Sequence, residues 1–106
     1  MYRFQSKDSA DVIMLAAHGE QILTLMGREA TPEGIITSSQ LVEAIEHLEQ
    51  AVAEDEAAFS RQQAQAEAAG EPIPRRTGVT LRQRAWPLLG AMRLALRGGH
   101  DLIWQS

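Results

Sequence analysis

The stretch TLRQRAWPLLGAMRLALRGGHDLIWQS, Thr80 to Ser106, decides how the chain is read. Thr80 and Gln83 stand at capping-box spacing, so a helix starts here. Leu81, Ala85, Leu88, Leu89, Met92, Ala95 and Leu96 then recur on one face, and Gly98-Gly99 ends it. The period changes in HDLIWQS, where Leu102 and Trp104 alternate with Ile103 as in a short half-buried strand. Pro87 has no N–H for the Gln83 carbonyl and pushes Trp86 away from α geometry, at a cost of about 3 kcal/mol in a regular helix. The apolar face keeps its phase across the proline, which favours a kinked helix. The alternative is that Pro87 opens the main helix and Thr80–Trp86 is a separate turn.

With Leu81 at zero and about 100° per residue, Arg82, Trp86, Arg93 and Arg97 fall between about 100° and 160°, with Arg84 on the other flank. They form one stripe at the border of core and surface. Arg and Trp are enriched at interface hot spots, so Arg82, Trp86, Arg93 and Arg97 make a candidate interaction surface. A second explanation needs no partner. Residues 40–74 carry one basic and eight acidic residues, whereas residues 75–100 carry six arginines and no acid. Consecutive helices tend to pack antiparallel, so Glu43, Glu46, Glu49, Glu54, Asp55 and Glu56 could meet the stripe within the same chain. Exposed pairs of that kind set orientation more than stability.

Upstream, Thr37 and Gln40 repeat the capping-box spacing, and Ser38 or Ser39 could also cap. Leu41, Ile45, Leu48, Val52 and Phe59 give the following long helix a narrow apolar stripe. Past Phe59 the sequence is alanine-rich and polar with little to bury, so the helix is expected to reach about Arg61 and fray before Gly70. Residues 62–79 thus read as a poorly ordered helix end and a linker containing Pro72 and Pro74. At the start, Tyr2 and Phe4 alternate with Arg3 and Gln5 as in a strand. Ser9–Gly27 carries apolar residues at helical spacing, with Gly19 a weak point. It is read as a helix, broken near His18-Gly19, although Val12–Leu15 is short enough to be a strand. Pro32-Glu33-Gly34 marks a turn, and Ile35-Ile36 a loop tucked against the core.

The chain has 106 residues, enough for one domain spanning 1–106. Its 44% hydrophobic and 23% charged residues suit a folded soluble protein. It has no cysteine, which excludes disulfides and thiolate metal sites and fits a reducing compartment. A net charge of −4 argues against nucleic acid. Neither a membrane-spanning run nor a signal peptide is present, so a cytoplasmic location is expected. The chain also holds sixteen alanines and nine arginines against one lysine, as a GC-rich genome would encode, so the choice of Arg over Lys carries less meaning than its placement.

Motifs for chemistry are sparse. Glu43, Glu46 and His47 share a helical turn, but the spacing is not the Glu-x-x-His of a di-metal bundle and no second copy exists. Neither a nucleophile elbow, nor a P-loop, nor HExxH occurs. No catalytic, cofactor-binding or metal residue is assigned, and no cofactor is expected.

DVIML at Asp11–Leu15, GII at Gly34–Ile36 and GVTLRQRAWPLL at Gly78–Leu89 resemble a small bacterial family catalogued as domain of unknown function 1840. The resemblance covers nearly the whole chain and rests most on RQRAWPLL. It implies a short, stand-alone bacterial protein and carries over no site residues. The expectation is therefore an α+β domain, mainly helical. Its three main helices, one acidic and one arginine-rich and kinked at Pro87, pack on a small sheet of the N- and C-terminal strands. Functionally, a non-catalytic interaction or regulatory module is expected, docking an acidic protein or a second copy of itself. A small-ligand-binding accessory protein comes next, and an enzyme with scattered residues last.

Overall fold

The two ends of the chain lie side by side. In the computed structural model, which describes residues 1–106, β1 (Tyr2–Ser6) pairs antiparallel with β4 (Leu102–Gln105), with Phe4 opposite Trp104. β2 (Ser9–Met14) returns along β1, and β3 (Glu33–Ile36) lies along β4, giving an antiparallel sheet of order β2-β1-β4-β3. Alternation sorts the two faces. Tyr2, Phe4, Met14, Ile36, Leu102 and Trp104 are buried on the inner face, while Arg3, Ile13, Ile35, Ile103 and Gln105 stand exposed on the other.

Three helices cover the inner face: α1 (Ala16–Leu25), α2 (Leu41–Ala68) and α3 (Leu81–Gly98). One apolar cluster gathers side chains from all four strands and all three α-helices, including Ile22, Leu48, Leu88 and Met92 at full burial. The expected α+β architecture, helices on a sheet of terminal strands, is therefore the one observed.

Two segments differ from expectation. Ser9–Met14 is strand, and the helix starts only at Ala16. Val12 fits a helical stripe as well as a strand, whereas Met14, two residues on, shares a face with Val12 only in a strand. Pairing Phe4 with Val12 and Tyr2 with Met14 buries Met14, whereas Leu15 ends up 57% exposed. Gly19, the suspected break, is an ordinary position of α1. A Cβ there would come within 2.5 Å of the Tyr2 ring, so the glycine lets helix and strand approach. The second segment is Ile35-Ile36, which belongs to β3 rather than to a loop; Ile36 is fully buried opposite Leu102.

Two polar contacts fix the start of α2. A single 3-10 turn (Ser38–Gln40) precedes it, where the Thr37 N–H donates to Gln40 Oε1 at 3.0 Å. The Ser38 N–H donates to Asp101 Oδ1 at 2.8 Å, which ties the helix start to the residue before β4. The helix passes the expected end near Arg61 and runs to Ala68. Its alanines, glutamines and glutamates are good helix formers. Gly70, at φ 68°, closes it, with the Glu71 N–H donating to the Ala66 carbonyl at 2.9 Å. The following loop straps back onto this outer half. Arg76 lies 4.4 Å over the Phe59 ring and bonds Asp55 Oδ2 at 2.8 Å, and Gln63 donates to the Pro74 carbonyl.

α3 is one helix through Pro87, so Thr80–Trp86 is not a separate turn. Both halves of its capping box form, at 2.9 Å (Thr80 N–H to Gln83 Oε1) and 3.2 Å (Gln83 N–H to Thr80 Oγ1). Gly99, left-handed at φ 68°, ends it, and the His100 N–H reaches back to the Ala95 carbonyl at 3.0 Å. β4 starts three residues later, so the strand sets the rotation of the helix.

Gly34 of β3 pairs with Trp104 of β4, and the indole lies across the glycine. A Cβ at Gly34 would lie 2.0 Å from Cζ2 of the buried indole, whose Nε1–H is anchored at 2.9 Å to the Thr31 carbonyl. Neither neighbour can give way. Gly34→Ala is expected to destabilise the fold by about 2 kcal/mol or more, read as a lower urea midpoint. An unchanged midpoint would contradict this packing.

Candidate interaction surface on α3

The ion pairs between the long helices have a clear direction. Glu56 pairs with Arg82 and Glu49 with Arg93, so α2 and α3 run antiparallel. The Arg82–Glu56 pair is two-pronged. Nε donates to Oε2 at 2.9 Å and Nη2 to Oε1, the planar fork that a guanidinium offers a carboxylate. Arg93 reaches Glu49 at 3.3 Å. On the opposite flank, Arg84 donates to Gln21 of α1 at 3.1 Å. Arg97 is exposed, and no carboxylate of its own chain lies within ion-pair distance.

The four candidate residues are thus divided. Arg82 and Arg93 are engaged by the acidic helix, while Trp86 and Arg97 remain outward. Trp86 is 61% exposed, yet it stands on a helix whose opposite face is packed solid. Arg82, Trp86, Leu89 and Arg93 of α3 border a hollow of about 100 Å³ together with Glu49 and Val52 of α2. Two further exposed apolar side chains continue the surface along α3: Leu94, 42% exposed, and the ring of Pro87. Covering an indole exposed to this degree is worth on the order of 2 kcal/mol.

A second, polar depression of about 500 Å³ lies at the end of the sheet, bordered by Lys7, Asp11, His100 and Asp101 among others. At its rim His100 Nδ1 is 2.7 Å from Asp8 Oδ2, a pair 92 positions apart in sequence. Asp8 sits against Gly98, where a Cβ would meet its carboxylate at 2.5 Å. Reasoning along the sequence did not find this pair, because nothing local links a β-turn aspartate to a histidine after a helix end. Asp101 is occupied with Ser38, and Asp11 with Arg3 and Gln5. His47 contacts Glu43 at 3.8 Å and the Met26 carbonyl at 3.3 Å.

The Arg82 fork holds the Glu56 carboxyl below the ordinary glutamate range, first by its hydrogen bonds and then by charge, with Arg76 adding to the charge. The same contact raises Arg82 above its usual value. Glu56 has the lower pKa when folded, so the unfolded chain binds more protons in acid. The pair's stabilisation is complete above the unfolded carboxylate range and is lost as pH falls through the folded pKa. In a carbon-13 NMR titration, Glu56 is expected to titrate below a glutamate in an unfolded peptide, and Arg82→Gln to return it to that range. Equal midpoints in the two proteins would show that the fork does not form in solution.

No helix of the structure is long and apolar enough to cross a membrane. Comparison with curated proteins and with solved structures finds no match. A match does come from one family model, described as Domain of unknown function (DUF1840), and it covers residues 1–104. With nearly its whole length matched, the chain belongs to that family.

Proposed function

We propose that this protein is a non-catalytic interaction module whose docking surface is the outward face of α3 centred on Trp86. One observation carries the proposal: a tryptophan 61% exposed on a rigid helix, beside arginines already held in place. The two ion pairs compensate the charge of Arg82 and Arg93 and hold both side chains in place beside the indole. A rigid aromatic anchor with a satisfied polar border is the usual anatomy of a binding hot spot. The hollow between α2 and α3, at about 100 Å³, falls below the roughly 300 Å³ at which small-molecule sites begin, so this surface suits a macromolecular partner better than a ligand. The proposal takes the setting to be a bacterial cytoplasm, which a cysteine-free sequence accommodates.

The proposal is tested by placing a benzophenone amino acid at Leu94 and irradiating cells that express the full chain. A discrete crosslinked species is expected, reduced about tenfold by Trp86→Ala. The same probe at exposed Thr24 of α1 serves as the control. Crosslinking at Leu94 no different from that at Thr24, or unaffected by Trp86→Ala in a chain with an unchanged circular dichroism spectrum, would sink the proposal.

A further inference from the structure

Gly90 lies at about 180° from Leu81 on α3, diametrically opposite the core, with Trp86 at about 140° and Leu94 at about 220°. A Cβ at Gly90 would meet nothing within 4 Å. Its backbone φ is not in the left-handed region either. Nothing inside the chain therefore asks for a glycine, and glycine is a poor residue for a helix interior. In a chain with sixteen alanines, this half-buried position between exposed Trp86, Pro87 and Leu94 is the one place in α3 that lacks a side chain without an internal reason. Gly98, by contrast, makes room for Asp8.

We infer that this face is a two-fold contact in which α3 crosses α3 of a second copy, antiparallel, with the closest approach at Gly90. The inference rests on the interaction reading above and names its partner. The face is self-complementary about that point. In an antiparallel crossing centred on residue 90, contacting positions sum to twice that number, so each residue meets its mirror position on the other copy. Trp86 meets Leu94, and Leu94 meets Trp86: both large exposed apolar side chains are covered by the same operation.

A second feature falls into place independently. Pro87 has no N–H, so it leaves the Gln83 carbonyl without its helical donor. The mirror position of Gln83 is Arg97, the one member of the stripe with no carboxylate of its own chain. The same axis therefore brings an acceptor lacking a donor to a donor lacking an acceptor, twice. Charge permits the approach. Arg93, which faces Pro87 of the other copy, is neutralised by Glu49, and Arg82 by Glu56. No arginine meets its own counterpart. A single helix crossing is a small interface, so the dimer is of the weak class, with a dissociation constant about micromolar or higher.

Sedimentation velocity of the full chain over a dilution series tests this. The wild-type chain is expected to form dimers at high concentration that dissociate on dilution. Gly90→Leu fills space that is open in the monomer. It should keep the helical spectrum and the melting temperature, yet raise the dissociation constant at least about tenfold. Gly90→Cys, the sole cysteine of its chain, should form an interchain disulfide on oxidation, and Ser39→Cys should not. A wild-type chain that stays monomeric up to millimolar concentration, or a dimer that Gly90→Leu does not weaken, would overturn the two-fold contact. If the chain stays monomeric while the Leu94 probe still captures a different protein in a Trp86-dependent way, self-association fails and the interaction surface stands. If neither occurs, both fail.

Discussion

The pairing of β1 with β4 is the constraint on which the rest of the structure depends. It joins residues about a hundred positions apart, and closing so long a loop is paid for only when burial rewards it. Phe4 and Trp104 supply that reward, as opposite neighbours in the centre of the sheet, both almost wholly buried. Once the two terminal strands are adjacent, β2 has one free edge to fold onto and β3 the other. The inner face they create is the surface that all three helices cover.

The same pairing settles what α3 shows to the outside. Only three residues separate the helix from β4, and Gly99 turns them in a fixed left-handed cap. With Leu102 and Trp104 committed to the core, the helix cannot rotate. Leu81, Ala85, Leu88 and Met92 face in, and Trp86, Gly90 and Leu94 face out. The acidic helix then locks the azimuth from the side through Glu49 and Glu56. These contacts are exposed, and their value lies in direction rather than in depth.

Much of α3 was legible in the sequence because its signals are local. The Thr80–Gln83 capping box, the apolar phase carried across Pro87 and the Gly98-Gly99 stop all sit within one helix, and all are found in the structure. What failed to read were features decided elsewhere. Val12 satisfies helix and strand alike, and β1 beside it chooses strand. A four-residue strand containing Gly34 looks like a turn until Trp104 is laid across it. Beyond Phe59, the last member of its stripe, α2 has nothing large and apolar to bury, and the outer half is held by a strap in which Arg76 lies over Phe59. On the candidate surface, helical phase placed Arg82, Trp86, Arg93 and Arg97 on one flank of α3, but phase alone could not tell which arginines the neighbouring helix would take. Gly90 was passed over for a related reason. In a sequence a helical glycine registers only as a cost, and its place on the outward face becomes visible once the inward face is known.

The central claim is that α3 presents Trp86 outward while Trp104 is sealed in the core. Fluorine NMR of the chain labelled with 5-fluorotryptophan tests it directly, since the protein has only these two tryptophans. In dilute solution the Trp86 resonance, assigned through Trp86→Phe, is expected to shift between H2O and D2O and to respond to iodide, while the Trp104 resonance does neither. Two resonances equally insensitive to solvent in a proven monomer would mean that α3 is rotated from the position described, and the surface built on Trp86 would not exist.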